Sequence, residues 1–153
     1  MKRFFIFHFS FFIFFIGCAV KTTPVFVTIN SPKIKIADEG FLKEGSGYKE
    51  LIIYKAGSEP VSFTLEENKI CVNNHCFNKK DFMKKYFKGL KEDVFDKILN
   101  KEPLSLGFYK KTKDGFIEKS ENIYYRVSKN SVLLKDKKEK TVIFIKYLRS
   151  KND

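Results

Sequence analysis

Short runs in which apolar and polar residues alternate are the feature that most restricts the fold of this chain. Such alternation is typical of strands that bury one face of a sheet, and turn-forming residues, such as Gly45-Ser46-Gly47 and Asp114-Gly115, separate the runs. The ten runs are 33–38, 48–55, 61–66, 69–72, 75–78, 105–111, 115–120, 122–127, 131–136 and 141–148. Consecutive short strands joined by tight turns predict an antiparallel sheet.

One segment, near residues 79–100, has a helical period instead. Its apolar positions are Phe82, Met83, Tyr86, Phe87, Leu90, Val94, Phe95, Ile98 and Leu99. Asn78 suits an N-cap, Gly89 divides the segment into two short helices, and Pro103 ends the second. We therefore predict a single α+β domain over 33–148, a curved antiparallel sheet or half-barrel with a short mid-chain helical insert. A β-sandwich-like arrangement is the alternative.

The N-terminus has the pattern of an export signal. Lys2 and Arg3 precede an uncharged apolar stretch, 4–16, which is shorter than the roughly 20 residues of a membrane-spanning helix but suits the apolar region of a secretory signal. The following Ile16-Gly17-Cys18 resembles the lipobox of bacterial lipoproteins, although Phe15 stands where that family prefers leucine. An ordinary signal peptide or uncleaved anchor is the alternative.

The lipobox resemblance implies removal of the signal peptide, residues 1–17, and acylation of Cys18 by a diacylglycerol and usually a third, palmitate-type chain. Residues 18–32 then form an acylated tether, with 25–29 able to pair as an edge strand, and 149–153 form a tail. Ala19 and Val20 lack the aspartate that favours inner-membrane retention. We expect a lipid anchor in the bacterial outer membrane, on its periplasmic side, with the inner membrane as the alternative.

The net charge of +12 raises the question of an acidic partner. The lysines are scattered over most of the predicted strands and loops, and an exported lipoprotein rarely meets nucleic acid, so we predict no nucleic-acid partner. Anionic lipid headgroups or acidic wall polymers fit better. The charge also fits a lysine-rich surface that only keeps the domain soluble.

Two further cysteines, Cys71 and Cys76, flank the pair Asn73-Asn74. Asparagine tolerates the positive φ angles of a two-residue hairpin turn. That register sets the cysteines opposite each other, within reach of a disulfide, which an oxidising periplasm favours. A metal site built from both cysteines and His75 is the alternative, but no fourth ligand is evident.

Signals of catalysis are weak. Apart from His8 in the signal, His75 is the only histidine, so no Ser-His-Asp set is expected. No glycine-rich phosphate loop, His-Glu-x-x-His motif or zinc-type cysteine spacing is present. We predict a non-catalytic protein without metal or cofactor.

The order of these elements is similar to that of the LolB family of outer-membrane lipoprotein receptors and, more broadly, of LolA/LolB-type half-barrels. The similarity is carried by the helical segment "CFNKKDFMKKYFKGLKEDVFDKILNKEP", whose close is Leu99, Lys101 and Pro103, and by the last run, "KTVIFIKYL". The resemblance implies a concave apolar surface that accepts a client's acyl chains. Its expected core or lining residues are Ile52, Tyr54, Phe63, Phe82, Phe87, Phe95, Ile98, Phe108, Tyr125 and Phe144.

Two functional hypotheses follow. In the first, a membrane-anchored, periplasm-facing lipoprotein binds lipid or acylated lipoprotein clients, as in LolB-like lipoprotein localisation. In the second, a structural or interaction lipoprotein binds an envelope protein or cell-wall partner. The first predicts a contiguous apolar cavity, and the second a filled core with an exposed apolar patch.

Overall fold

The computed structural model describes residues 20–54 and 57–148. Its strands and helices are β1 (Lys21–Asn30), β2 (Lys35–Gly45), β3 (Tyr48–Ile53), β4 (Val61–Leu65), β5 (Lys69–Val72), β6 (His75–Asn78), α1 (Lys79–Tyr86), α2 (Val94–Asn100), β7 (Phe108–Thr112), β8 (Gly115–Lys119), β9 (Ile123–Ser128), β10 (Ser131–Asp136) and β11 (Thr141–Tyr147). Each of the ten predicted runs overlaps one of the strands β2 to β11. The match is partial at β2, which continues seven residues beyond the run 33–38, and at β7, which begins three residues after the run 105–111 starts.

The described strands form one open, curved antiparallel sheet in the order β6-β5-β4-β3-β2-β1-β11-β10-β9-β8-β7. Each half of the chain is a meander, and the two halves meet where β1 pairs with β11. The prediction of an antiparallel sheet with a short helical insert is confirmed, although helices contribute little to the fold. The β-sandwich-like alternative is wrong, because the eleven strands belong to a single sheet.

The prediction that 18–32 form a tether is wrong for residues 21–30, which form β1. The prediction that 25–29 pair as an edge strand is also wrong, because β1 lies at the centre of the sheet. Val25, Val27 and Ile29 are buried there between β2 and β11. Pro24 had favoured a tether, since proline lacks the N–H of a central strand. It is accommodated where the pairing with β11 ends, and its carbonyl accepts the Leu148 N–H at 2.9 Å.

The core lies between one face of the sheet and the two helices. Residues that alternate along the strands, such as Leu51 and Ile53, turn to this face, and the helices cover it with Phe82, Phe87 and Phe95. The Phe87 ring centroid lies 5.0 Å from that of Phe95 and 5.9 Å from that of Phe82. Such distances are those of rings in direct contact, so the space under the helices is packed with side chains.

The ends of the helices follow local chemistry. The Asn78 side-chain oxygen accepts the Lys80 N–H at 3.0 Å, which confirms the predicted N-cap of α1. Gly89 has a φ of 80°, a conformation that favours glycine, and the chain turns there towards α2. The prediction that Pro103 ends α2 is wrong, because the helix ends at Asn100 and Lys101 adopts the left-handed cap, with a φ of 58°.

Candidate functional site

The ten residues expected to line or fill a concave surface separate into three groups. Six are buried in the core, namely Phe63, Phe82, Phe87, Phe95, Ile98 and Tyr125. Ile52 and Phe144 are half-buried on the opposite face of the sheet, because they alternate with core residues. Tyr54 and Phe108 are 48% and 54% exposed, respectively. The structure therefore brings six of the ten together as packed core. These residues do not line the contiguous apolar cavity that the first functional hypothesis predicts.

A groove lies on the two-helix cover, by which we mean α1, α2 and the segment between them. The groove has a volume of about 790 Å³ and is formed by α1 and residues 88–93. This volume falls in the range of roughly 300–1,000 Å³ that is usual for small-molecule sites. The residues that give the groove its character are Met83, Leu90, Lys80, Lys84, Lys88 and Lys91.

The groove has a positive balance of charge. Four lysines line it, against two acidic residues, Glu92 and Asp93. Asp93 is engaged by Lys97, whose Nζ lies 2.8 Å from its carboxylate, and this hydrogen bond lowers the pKa of Asp93. Apolar side chains beside several ammonium groups suit a ligand with an apolar part and an anionic group.

Polar contacts fasten the cover to itself and to the sheet. Lys79 Nζ lies 2.7 Å from the Asp96 carboxylate and so joins α1 to α2. Lys49 Nζ, on β3, donates to the Leu99 carbonyl at 3.4 Å. The Lys79 N–H also donates to the Asn68 carbonyl at 3.3 Å. Beside these polar contacts, the buried side chains of both helices, such as Phe82 and Phe95, pack on the sheet.

A buried carboxylate that the sequence reasoning missed holds the segment after α2. Glu118 is 3% exposed and accepts the N–H groups of Leu104 and Ser105 at 2.5 and 3.1 Å. The Tyr125 hydroxyl donates to the Glu102 carbonyl at 3.1 Å, and burial raises the pKa of Tyr125. Glu118 follows Phe116 by two residues, so both side chains lie on the same, buried face of β8. That spacing is the signal in the sequence that could have indicated a buried carboxylate.

The predicted disulfide is confirmed. Cys71 and Cys76 are bonded, with their Cα atoms 3.9 Å apart and opposite each other in the β5–β6 pair. Asn73 has a φ of 51°, as the predicted turn requires. Since both thiols are in the disulfide, the alternative metal site with His75 loses two of its three ligands. Among the residues that the structure describes, no cluster of three potential metal-ligating side chains occurs.

Removing this disulfide should have a moderate effect on stability. We expect the double variant Cys71→Ser/Cys76→Ser to lose about 2 kcal/mol of unfolding free energy, because the bond closes only a short loop. Urea denaturation of the oxidised protein, the reduced protein and the double variant measures this loss. The reduced protein is the control and should match the variant, whereas a variant as stable as the oxidised protein would contradict the prediction.

Cys18 and the tail 149–153 lie outside the described residues, so acylation of Cys18 stays a prediction. In the part of the chain from residue 20 to 148 that is described, no helix has the length and apolar character needed to cross a bilayer. No protein-family model and no curated protein matches this chain.

Proposed function

We propose that this protein is a non-catalytic lipoprotein, anchored in the outer membrane through Cys18, that binds lipid or the acyl chains of lipoprotein clients on the periplasmic side. The observation that carries the proposal is the groove of about 790 Å³ on the two-helix cover, which combines apolar side chains with four lysines. The similarity of the element order to LolB-type half-barrels supports lipoprotein localisation as the process.

The chemistry of the groove favours an amphiphile over a purely polar ligand. Half-buried Leu90 and the aliphatic stems of the lysines offer apolar area above the buried Met83. The affinity of such area for acyl chains is non-directional. Lys84 and Lys88 can attract the carboxylate or phosphate at the polar end of a lipid. An acyl chain lying along the groove leaves the core beneath it intact, which matters because the expected lining residue Phe87 is packed there.

A single substitution in the groove tests this function. In the full chain purified in detergent, we expect Leu90→Glu to weaken binding of the fluorescent fatty acid cis-parinarate at least about tenfold, because a carboxylate in the groove disfavours an acyl chain and repels its carboxylate. Fluorescence titration measures the affinity. Ile117→Glu is the matched control, since Ile117 is also half-buried but pairs with Lys110 and Arg126 on the far face of the sheet.

The comparison of the Leu90→Glu and Ile117→Glu variants can also reject the groove. Equal affinities of the Leu90→Glu and Ile117→Glu variants would remove the groove as the acyl-chain site. The double variant Lys84→Gln/Lys88→Gln extends the test to charge, and we expect it to weaken binding of the fatty acid more than Lys110→Gln/Lys146→Gln does. These controls, on β7 and β11, remove the same number of charges outside the groove.

One observation favours the alternative of an interaction lipoprotein that binds an envelope protein. Phe41 and Tyr54 are 39% and 48% exposed and form an edge-to-face pair, with ring centroids 5.9 Å apart. Aromatic residues are enriched at protein interfaces relative to the rest of the surface. A photo-crosslinker at Tyr54 that traps one envelope protein in cells, while a crosslinker at Lys84 traps none, would favour this alternative.

A further inference from the structure

A second pocket lies at the end of the sheet where β1 begins. It has a volume of about 320 Å³ and is lined by Lys21, Glu44, Lys49, Lys101 and Tyr147, among others. These residues come from β1, β2, β3, the cap of α2 and β11. The pocket is separate from the groove on the two-helix cover and shares none of its lining residues.

Positive charge exceeds negative charge in this pocket. The Glu44 carboxylate lies 2.5 Å from Lys49 Nζ and 3.6 Å from Lys21 Nζ. One carboxylate therefore pairs with two ammonium groups, and one positive charge is left uncompensated. Lys101 Nζ donates to the Lys129 carbonyl at 2.8 Å and lies 3.9 Å from the centroid of the Tyr147 ring. Burial, followed by the charge of Lys21, lowers the pKa of Lys101. A nearby anion would relieve this repulsion.

The pocket also contains an unused hydrogen-bond donor. In the described part of the chain, the buried Tyr147 hydroxyl has no hydrogen-bond partner. Buried hydroxyl groups without a partner are uncommon because they lose their hydration without compensation. Burial raises the pKa of Tyr147 to about 12, so the hydroxyl keeps its proton and is able to donate to a ligand.

The position of the pocket relates it to the membrane. Two residues, Ala19 and Val20, separate Cys18 from Lys21, so the chain makes three residue-to-residue steps between them. An extended chain covers at most about 3.6 Å per residue, so Lys21 lies within about 11 Å of the acylated cysteine. If Cys18 carries the anchor, as the proposed function requires, this end of the sheet is held at the level of the lipid headgroups.

We propose that the pocket formed by Lys21, Lys49, Lys101 and Tyr147 binds the phosphate of an anionic phospholipid of the anchoring membrane. Lysine ammonium groups compensate the phosphate charge, and the Tyr147 hydroxyl donates to a phosphate oxygen. A bound headgroup fixes this end of the sheet against the bilayer. The tether alone, attached at one residue, leaves the domain free to rotate.

The experiment uses the full chain in dodecyl maltoside micelles that contain either phosphatidylglycerol or phosphatidylcholine, with native mass spectrometry to count the lipids retained. We expect one phosphatidylglycerol to be retained in preference to phosphatidylcholine. Lys101→Gln should lower this retention about tenfold, whereas the control Lys110→Gln, which removes the same charge from β7, should not change it.

Tyr147→Phe separates a binding role from a structural one. Because the substitution deletes an unpaired buried hydroxyl, we expect the lipid-free melting temperature to stay the same or rise while retention of phosphatidylglycerol falls. Equal retention of both lipids, or retention unaffected by Lys101→Gln, would overturn the proposal. Displacement of the lipid by millimolar inorganic phosphate would reassign the pocket to free phosphate.

Acylation of Cys18 and lipid binding in the pocket can be tested separately. The variant Cys18→Ala in the same micelles should still retain phosphatidylglycerol, because the pocket does not include the cysteine. Loss of retention in that variant would show that the signal came from the acyl chains and would overturn the pocket, whatever the outcome for the anchor.

Discussion

Replacing Cys18 by alanine is expected to move the protein from the membrane fraction to the soluble periplasmic or secreted fraction. Each buried methylene contributes about 0.8 kcal/mol, one acyl chain holds a protein only reversibly, and two or more hold it firmly. A lipoprotein without its cysteine is left with no chain at all. Cell fractionation followed by immunoblotting, together with metabolic labelling by palmitate, measures the change.

Two controls make this result specific to acylation. The variant Cys71→Ser/Cys76→Ser should stay on the membrane, because its cysteines are bonded to each other and not to lipid. A wash with high salt removes protein held only by lysines, since salt screens exposed charges. Firm attachment of Cys18→Ala after this wash would show that another anchor holds the protein, and the apolar stretch 4–16 is the candidate.

The strands were predictable because their signal is local. In β3, Leu51 and Ile53 alternate with Ile52, and the alternation alone assigns the first two to one face. The same reasoning missed the role of 21–30, although Val25, Val27 and Ile29 alternate there as well. Pro24 and several threonines resemble a linker, and the central position of β1 depends on its pairing with β11, which lies more than one hundred residues later in the chain.

The candidate sites were harder to predict from the sequence, because they are formed by residues that only the fold brings together. The lysines of the groove are spaced along a helix and a turn, where they look like any solvated surface, and only the course of the segment 88–93 brings them around Met83 and Leu90. The pocket at the start of β1, for which we propose phosphate binding, combines residues from opposite ends of the described chain, such as Lys21 and Tyr147. Long-range contacts of this kind leave no pattern in a short window of sequence.

Phe87 and Phe108 were both expected to be core or lining residues, but truncating them should change the unfolding free energy by very different amounts. We expect Phe87→Ala to lower the unfolding free energy by about 3–5 kcal/mol, because it deletes a buried ring and leaves a cavity. Phe108→Ala, the matched control, should cost about 0.5 kcal/mol or less, as is usual for surface positions. The contrast follows from their exposure, which is 1% for Phe87 and 54% for Phe108. Urea denaturation of the two variants measures it.

This comparison also decides between the two places where an acyl chain could bind. If Phe87 lines an open cavity that receives the chain, its truncation removes few contacts, and the two variants should lose similar, small amounts of stability. If it belongs to a filled core, as its packing against Phe82 and Phe95 indicates, the loss is large and the client has to bind outside the core. Similar losses in the two variants would therefore contradict the filled core and move the acyl-chain site from the groove to the space beneath the helices.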